Sequence, residues 1–151
     1  MTKVTIVKTY RNTVTLRQME LSEIVNAIQN EAFCALCKEL RDVYPLVEVR
    51  QKYDAMDGLL HFYTKGLPKV CFSSQMENRN KQRVMKAYNG LVLLEVNNLA
   101  SFDEAEAVRR GASQIPHTLL AFVGASGRSV KIVCRGELFD GGLPVGDENN
   151  R

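Results

Sequence analysis

Tryptophan is absent from this chain, histidine occurs twice, and aromatic residues make up only 7% of it. A stacking platform for unpaired bases therefore has few residues to draw on: Tyr53, Phe62, Tyr63 and Phe72. No apolar run approaches the roughly 18 residues a membrane helix requires, and the opening Met1-Thr-Lys-Val-Thr-Ile6 lacks the apolar core of a signal peptide. Both absences point to the cytoplasm and away from a membrane. Also missing are a Ser-His-Asp order, HExxH, a Walker A loop and the Rossmann glycine pattern. Neither sign of charge dominates: 20 Lys and Arg stand against 17 Asp and Glu, for a net charge of +3. That excess is compatible with a nucleic-acid partner without demanding one.

Cysteine is scarce too. Cys34-Ala-Leu-Cys37 has the spacing of zinc and redox sites, but Cys71 and Cys134 form no second close pair. Zinc needs four ligands, and His61 and His117 lie far apart in sequence. Cysteine as a small core residue is the commoner use.

What is present suits one globular domain. The chain has 151 residues, of which 45% are hydrophobic, enough for a core without metal or disulfide support. Lys3–Tyr10 alternates and is rich in β-branched residues, which predicts a strand; Arg11-Asn-Thr13 reads as a turn, and Val14–Leu16 as a short returning strand. Ser22 is a candidate N-cap for a helix with Ile24, Val25 and Ile28 on its apolar side. A second helix is expected from about Glu31 to Val43, stopped by Tyr44-Pro45. Further strands are expected at Lys69–Phe72, Leu91–Val96, Thr118–Val123 and Val130–Cys134. A helix should start after Ser101, with Asp103 and Glu104 in its first turn and Gly111 at its close. Residues 90–135 thus read as a split β-α-β arrangement in an α+β domain. From the loop-like ending Gly141-Gly-Leu-Pro-Val-Gly146 the expectation is a fragment of a longer protein.

Three constellations could carry chemistry. The apolar strand Gly90-Leu-Val-Leu-Leu-Glu-Val-Asn97 ends in Glu95 and Asn97, which, two apart, share a face. This is the geometry of a paired-carboxylate Mg²⁺ site with one carboxylate replaced by an amide. The plain alternative is a core strand whose last polar residues cap a turn. Next, Ser126-Gly-Arg-Ser129 would let backbone N–H groups approach phosphate, with Arg128 and Lys131 to neutralise it; an ordinary hairpin turn is the alternative. Third, if Asn78–Lys86 is helical, Arg79, Arg83 and Lys86 fall on one face that could track a phosphate backbone, or simply be solvated. His117, ahead of a strand, is a lesser candidate for a phosphate contact or proton carrier.

Four stretches in order, Lys65–Phe72 with Arg79, Tyr88–Asn97, Pro116–Val123 and Ser126–Lys131, resemble the N-terminal domain of bacterial virulence-associated E (VirE-type) proteins. That family is a primase-like module often carried on mobile elements. The resemblance implies one such domain over residues 1–151, with an RRM-like mixed or antiparallel sheet and flanking helices, as in the archaeo-eukaryotic primase and primase–polymerase fold. It implies metal ligation by Glu95 and Asn97, and nucleotide contacts from Ser126, Gly127, Arg128 and Lys131. Glu-x-Asn departs from the acidic pair of that superfamily; Ser129 replaces a turn glycine, Gly124 stands where a serine opens the motif, and the later acidic ligand has no counterpart. The expectation is a DNA- or nucleotide-binding primase-like domain of a mobile-element replication protein, catalytically weak or inactive as this fragment. A helicase or ATPase region of the same protein would follow it. Alternatives are an active primase–polymerase completed beyond Arg151, and a protein-interaction module on a degenerate primase fold.

Overall fold

The computed structural model describes residues 2–10, 13–51, 67–80 and 82–136. His61, Tyr53, Phe62, Tyr63 and Asp140 lie outside them, as do Arg11 and Asn12 of the first expected turn. The described chain is α+β. β1 (Lys3–Tyr10) pairs antiparallel with β2 (Thr13–Glu20), from Lys3 opposite Glu20 to Tyr10 opposite Thr13. α1 (Leu21–Gln29) and α2 (Cys34–Gln51) follow, and β3 (Lys69–Cys71) adds to the other side of β1, giving the order β2-β1-β3. A separate hairpin joins β4 (Ser74–Arg79) to β5 (Gln82–Tyr88). β6 (Leu91–Val96), α3 (Phe102–Ser113), β7 (Thr118–Val123) and β8 (Val130–Arg135) complete the fold.

The last four elements form the expected split β-α-β unit. β8 lies between β6 and β7 and is antiparallel to both, so β6 and β7 run parallel with a strand inserted between them. Directly paired residues share a face of a sheet. The row Leu91, Leu93, Val133, Leu120 and Phe122 therefore points one way, and it meets Val4, Ile6, Ile24 and Phe72 in one hydrophobic core. The Phe72 and Phe122 rings lie 6.1 Å apart. α3 runs along β7 and β8 and buries Ala105 and Ala112, whose short side chains permit close approach. Val92 and Leu94 of the edge strand β6 stay 36% and 51% exposed.

Several boundaries differ from expectation for local reasons. α1 begins at Leu21, because the Glu23 carboxylate reaches back to accept the Glu20 N–H at 2.9 Å; Ser22 is inside the helix. α2 continues past Tyr44-Pro45, since a proline removes one N–H and disfavours helix before it without forbidding it. Gly111 lies within α3, which ends at Ser113. The N-terminus of α3 is as expected: Ser101 Oγ accepts the Glu104 N–H at 3.1 Å, and Glu104 accepts the Ala100 N–H at 2.6 Å.

Candidate functional site

The tip of β6 and the turn before β8 do converge. Glu95 sits directly opposite Lys131, and the Lys131 ammonium donates to Glu95 Oε1 at 2.7 Å. That ammonium, with a further hydrogen bond from Asn97, holds the Glu95 carboxyl below the usual carboxylate range. Phe122 continues the same row on β7.

The turn Gly124–Ser129 is stitched to the β6–α3 connection rather than left open. Arg128 donates to the carbonyls of Ala100 at 2.7 Å and Leu99 at 3.4 Å, and the Leu99 N–H returns a bond to the Arg128 carbonyl at 3.0 Å. The Arg128 guanidinium also lies 5.9 Å from the centroid of the Tyr44 ring. The Arg128 N–H bonds to Ser126 Oγ at 3.2 Å, and Gly124 pairs with the Ser129 carbonyl at 2.8 Å. Gly127 has φ +74°, where a side chain is strained, and a Cβ there would stand 3.2 Å from Arg41 Cγ. Arg41 itself donates to the Gly124 carbonyl at 3.2 Å and stacks 5.0 Å from the Phe102 ring centroid. Ser126, Gly127 and Arg128 thus each have an internal role in the turn.

These residues fit a resident Mg²⁺ poorly. The donor set is one carboxylate already carrying an ammonium, plus one amide, whereas Mg²⁺ favours several oxygen ligands in near-octahedral geometry. Asp103 and Glu104 are committed to the start of α3, and no cluster of three His, Cys, Asp or Glu occurs among the described residues. The cysteines are free thiols; Cys34 is exposed on α2, and burial pushes the half-buried Cys37 thiol up, away from the reactive thiolate. His117 is exposed ahead of β7.

The third constellation is not a helix. Residues 78–86 belong to the β4–β5 hairpin, with Asn78 opposite Arg83 and Arg79 opposite Gln82. The two-residue tip starts at Asn80, whose φ of +48° is one that asparagine tolerates. Strand alternation then places Arg79 and Arg83 on opposite faces, and Lys86 falls at an irregularity in the pairing. The helical spacing failed because a polar stretch with few apolar residues carries little periodicity of either kind. Arg79 pairs with Glu77 at 2.6 Å; Arg83 and Lys86 have no ion-pair partner among the described residues.

The hairpin has a neighbour of like charge. Asn78 Nδ2 reaches the Val14 carbonyl at 3.4 Å, and Gln18 Nε2 reaches the Met76 carbonyl at 2.8 Å, so β4 lies against β2. The strands β1 to β5 carry seven Lys and Arg against two Glu. A whole-chain charge of +3 conceals this segregation, because acidic residues elsewhere offset it. Summing charge by spatial neighbours finds it, but the neighbours are set by the fold.

No curated protein and no solved structure matches the chain. A family model described as "BT4734-like, N-terminal domain" matches residues 63–148, more than half of the sequence and all of the split β-α-β unit. No VirE-type or primase-like family matches, and the expected assignment to that family is corrected accordingly. Lys131 and Arg128, expected as nucleotide contacts, bond within the fold instead, to Glu95 and to the Ala100 carbonyl. The chain belongs to the BT4734-like N-terminal domain family.

Proposed function

We propose that this domain binds nucleic acid through phosphate contacts from its paired β1–β2 and β4–β5 hairpins, and does not itself transfer phosphoryl groups. One observation carries the reading: seven cations against two acids on five strands, with Arg83 and Lys86 among those that have no ion-pair partner among the described residues. Clustered, unpaired cations release counterions from a phosphate backbone and bind it in a salt-dependent way. The order β6-β8-β7 is that of half an RRM-like sheet, which supports the reading at the level of fold alone. Lys131 and Arg128 then act as internal braces and Glu95 as the partner of Lys131.

Fluorescence anisotropy with labelled single- and double-stranded DNA, repeated over a series of salt concentrations, tests this. Affinity should fall steeply as salt rises. Binding that is absent at low salt, or indifferent to salt, removes the reading. A protein-interaction role draws on a separate observation, the exposed Val92 and Leu94 on edge strand β6.

A further inference from the structure

The face of β1–β2 that carries Val4 and Ile6 into the core continues outward past it. Ile6 is opposite Arg17 and Lys8 is opposite Thr15, so Lys8 and Arg17 are diagonal neighbours on one face. Between them opens a cavity of about 250 Å³ lined by Ile6, Lys8, Thr15, Leu16, Arg17 and Met19. On the face shared by Ile6, Lys8 and their partners, its walls are of two kinds: aliphatic and thioether surface from Ile6 and Met19, and two cations with a hydroxyl from Lys8, Arg17 and Thr15. No carboxylate lines it, and neither cation has an ion-pair partner among the described residues.

Like charges held as neighbours on one sheet face oppose folding unless something offsets them. A ligand that does so here must be anionic at one end and apolar at the other, as a phosphate joined to a base is. A bare phosphate would leave the Met19 and Ile6 surface unused, and an apolar molecule would leave the two cations unmatched. The volume is below the usual 300–1,000 Å³ range of drug-sized pockets and suits one small unit.

From this we infer that the cavity is a seat for a single nucleoside phosphate, its base against Met19 and Ile6 and its phosphate between Lys8 and Arg17. It rests on the nucleic-acid reading to the extent that the unit belongs to a bound strand. The Thr15 hydroxyl, which donates to the Lys8 carbonyl at 3.4 Å, keeps its lone pairs free at the rim. Binding is therefore expected to require both ends of the ligand together.

The test uses the full chain labelled at its methionine methyl groups, with the Met19 signal assigned by Met19→Leu. Thymidine monophosphate, thymidine, inorganic phosphate and a short oligothymidylate are titrated in turn. The monophosphate and the oligomer should shift the Met19 signal, and thymidine or phosphate alone should do so far less. Thr15→Leu, which fills an exposed strand position, should abolish the monophosphate shift and weaken the oligomer by about tenfold. Lys8→Gln with Arg17→Gln is the second variant and should act alike. The hairpin variant Arg79→Ala/Arg83→Ala/Lys86→Ala should weaken the oligomer and leave the monophosphate shift intact. Phosphate acting as strongly as the monophosphate overturns the inference and leaves only an anion patch. An oligomer that binds while Met19 and both cavity variants stay silent also overturns it, with the nucleic-acid reading intact. A monophosphate shift with no oligomer binding supports the seat for a free nucleotide and removes the strand.

Discussion

The two halves of this molecule use their cations in opposite ways. In the split β-α-β half, four of the five Lys and Arg between residues 89 and 136 are committed: Arg109 and Arg110 to Glu106, Arg128 to two backbone carbonyls, and Lys131 to Glu95. In the β1–β5 half, Arg79 has a partner in Glu77, whereas Lys8, Arg17, Arg83 and Lys86 have none among the described residues. The half with the motif-like turn thus uses its charge within its own structure, and the half without a motif leaves four cations without an ion-pair partner among the described residues. A positive residue in a glycine-rich turn says little about binding until its partners are known.

The largest expected effect tests whether the halves are one unit. Leu91, 1% exposed, belongs to the core cluster shared with Val4, Ile6 and Phe72. Leu91→Ala should cost about 2–5 kcal/mol, measured by urea denaturation, and should lower a single cooperative transition. Two separate transitions would show that the halves fold independently and that their comparison is one of separate domains.

Removing charge from the basic half comes next. Arg79→Ala/Arg83→Ala/Lys86→Ala should weaken DNA binding about ten- to a hundredfold at low salt and flatten its salt dependence by about two to three counterions. Its urea midpoint should change little. Equal losses on truncating Arg128 would erase the distinction between the halves.

That Arg128→Ala variant is the converse experiment. It should cost about 1–2 kcal/mol of stability through the lost bonds to Leu99 and Ala100, with DNA affinity unchanged. A variant as stable as the parent but deficient in binding would return Arg128 to the ligand site.

The smallest effect is the acid response of the Glu95–Lys131 pair. Lys131 depresses the Glu95 pKa in the folded protein, so the pair's contribution is present above the ordinary carboxylate pKa and is lost as pH falls through the depressed folded value. Both side chains are about a third exposed, so solvent screening limits the contribution to about 0–1 kcal/mol. Glu95→Gln should therefore be slightly less stable at neutral pH and converge with the parent in acid. A difference that grows on acidification contradicts the pairing.

Much of the fold could be read from local pattern. The alternation of Lys3–Tyr10 marked β1, the apolar runs marked β6, β7 and β8, and Ser101 with Glu104 marked the start of α3. The β4–β5 hairpin could not, because Gln, Asn, Arg and Lys at alternating positions show neither a period of two nor one of 3.6. Among the candidate site residues, the adjacency of Glu95 and Lys131 was readable as a wish for convergence only. Their mutual neutralisation needed the β6–β8 register.

By itself the sequence determined β1, β3, β6, β7 and β8, the helix start at Ser101 and the split β-α-β order, since these follow from side-chain periodicity and capping within a few residues. Tertiary structure alone decided which charges are free. Whether a cation meets a carboxylate, a carbonyl or solvent depends on residues such as Glu95 and Lys131, or Lys8 and Arg17, that only strand pairing brings together.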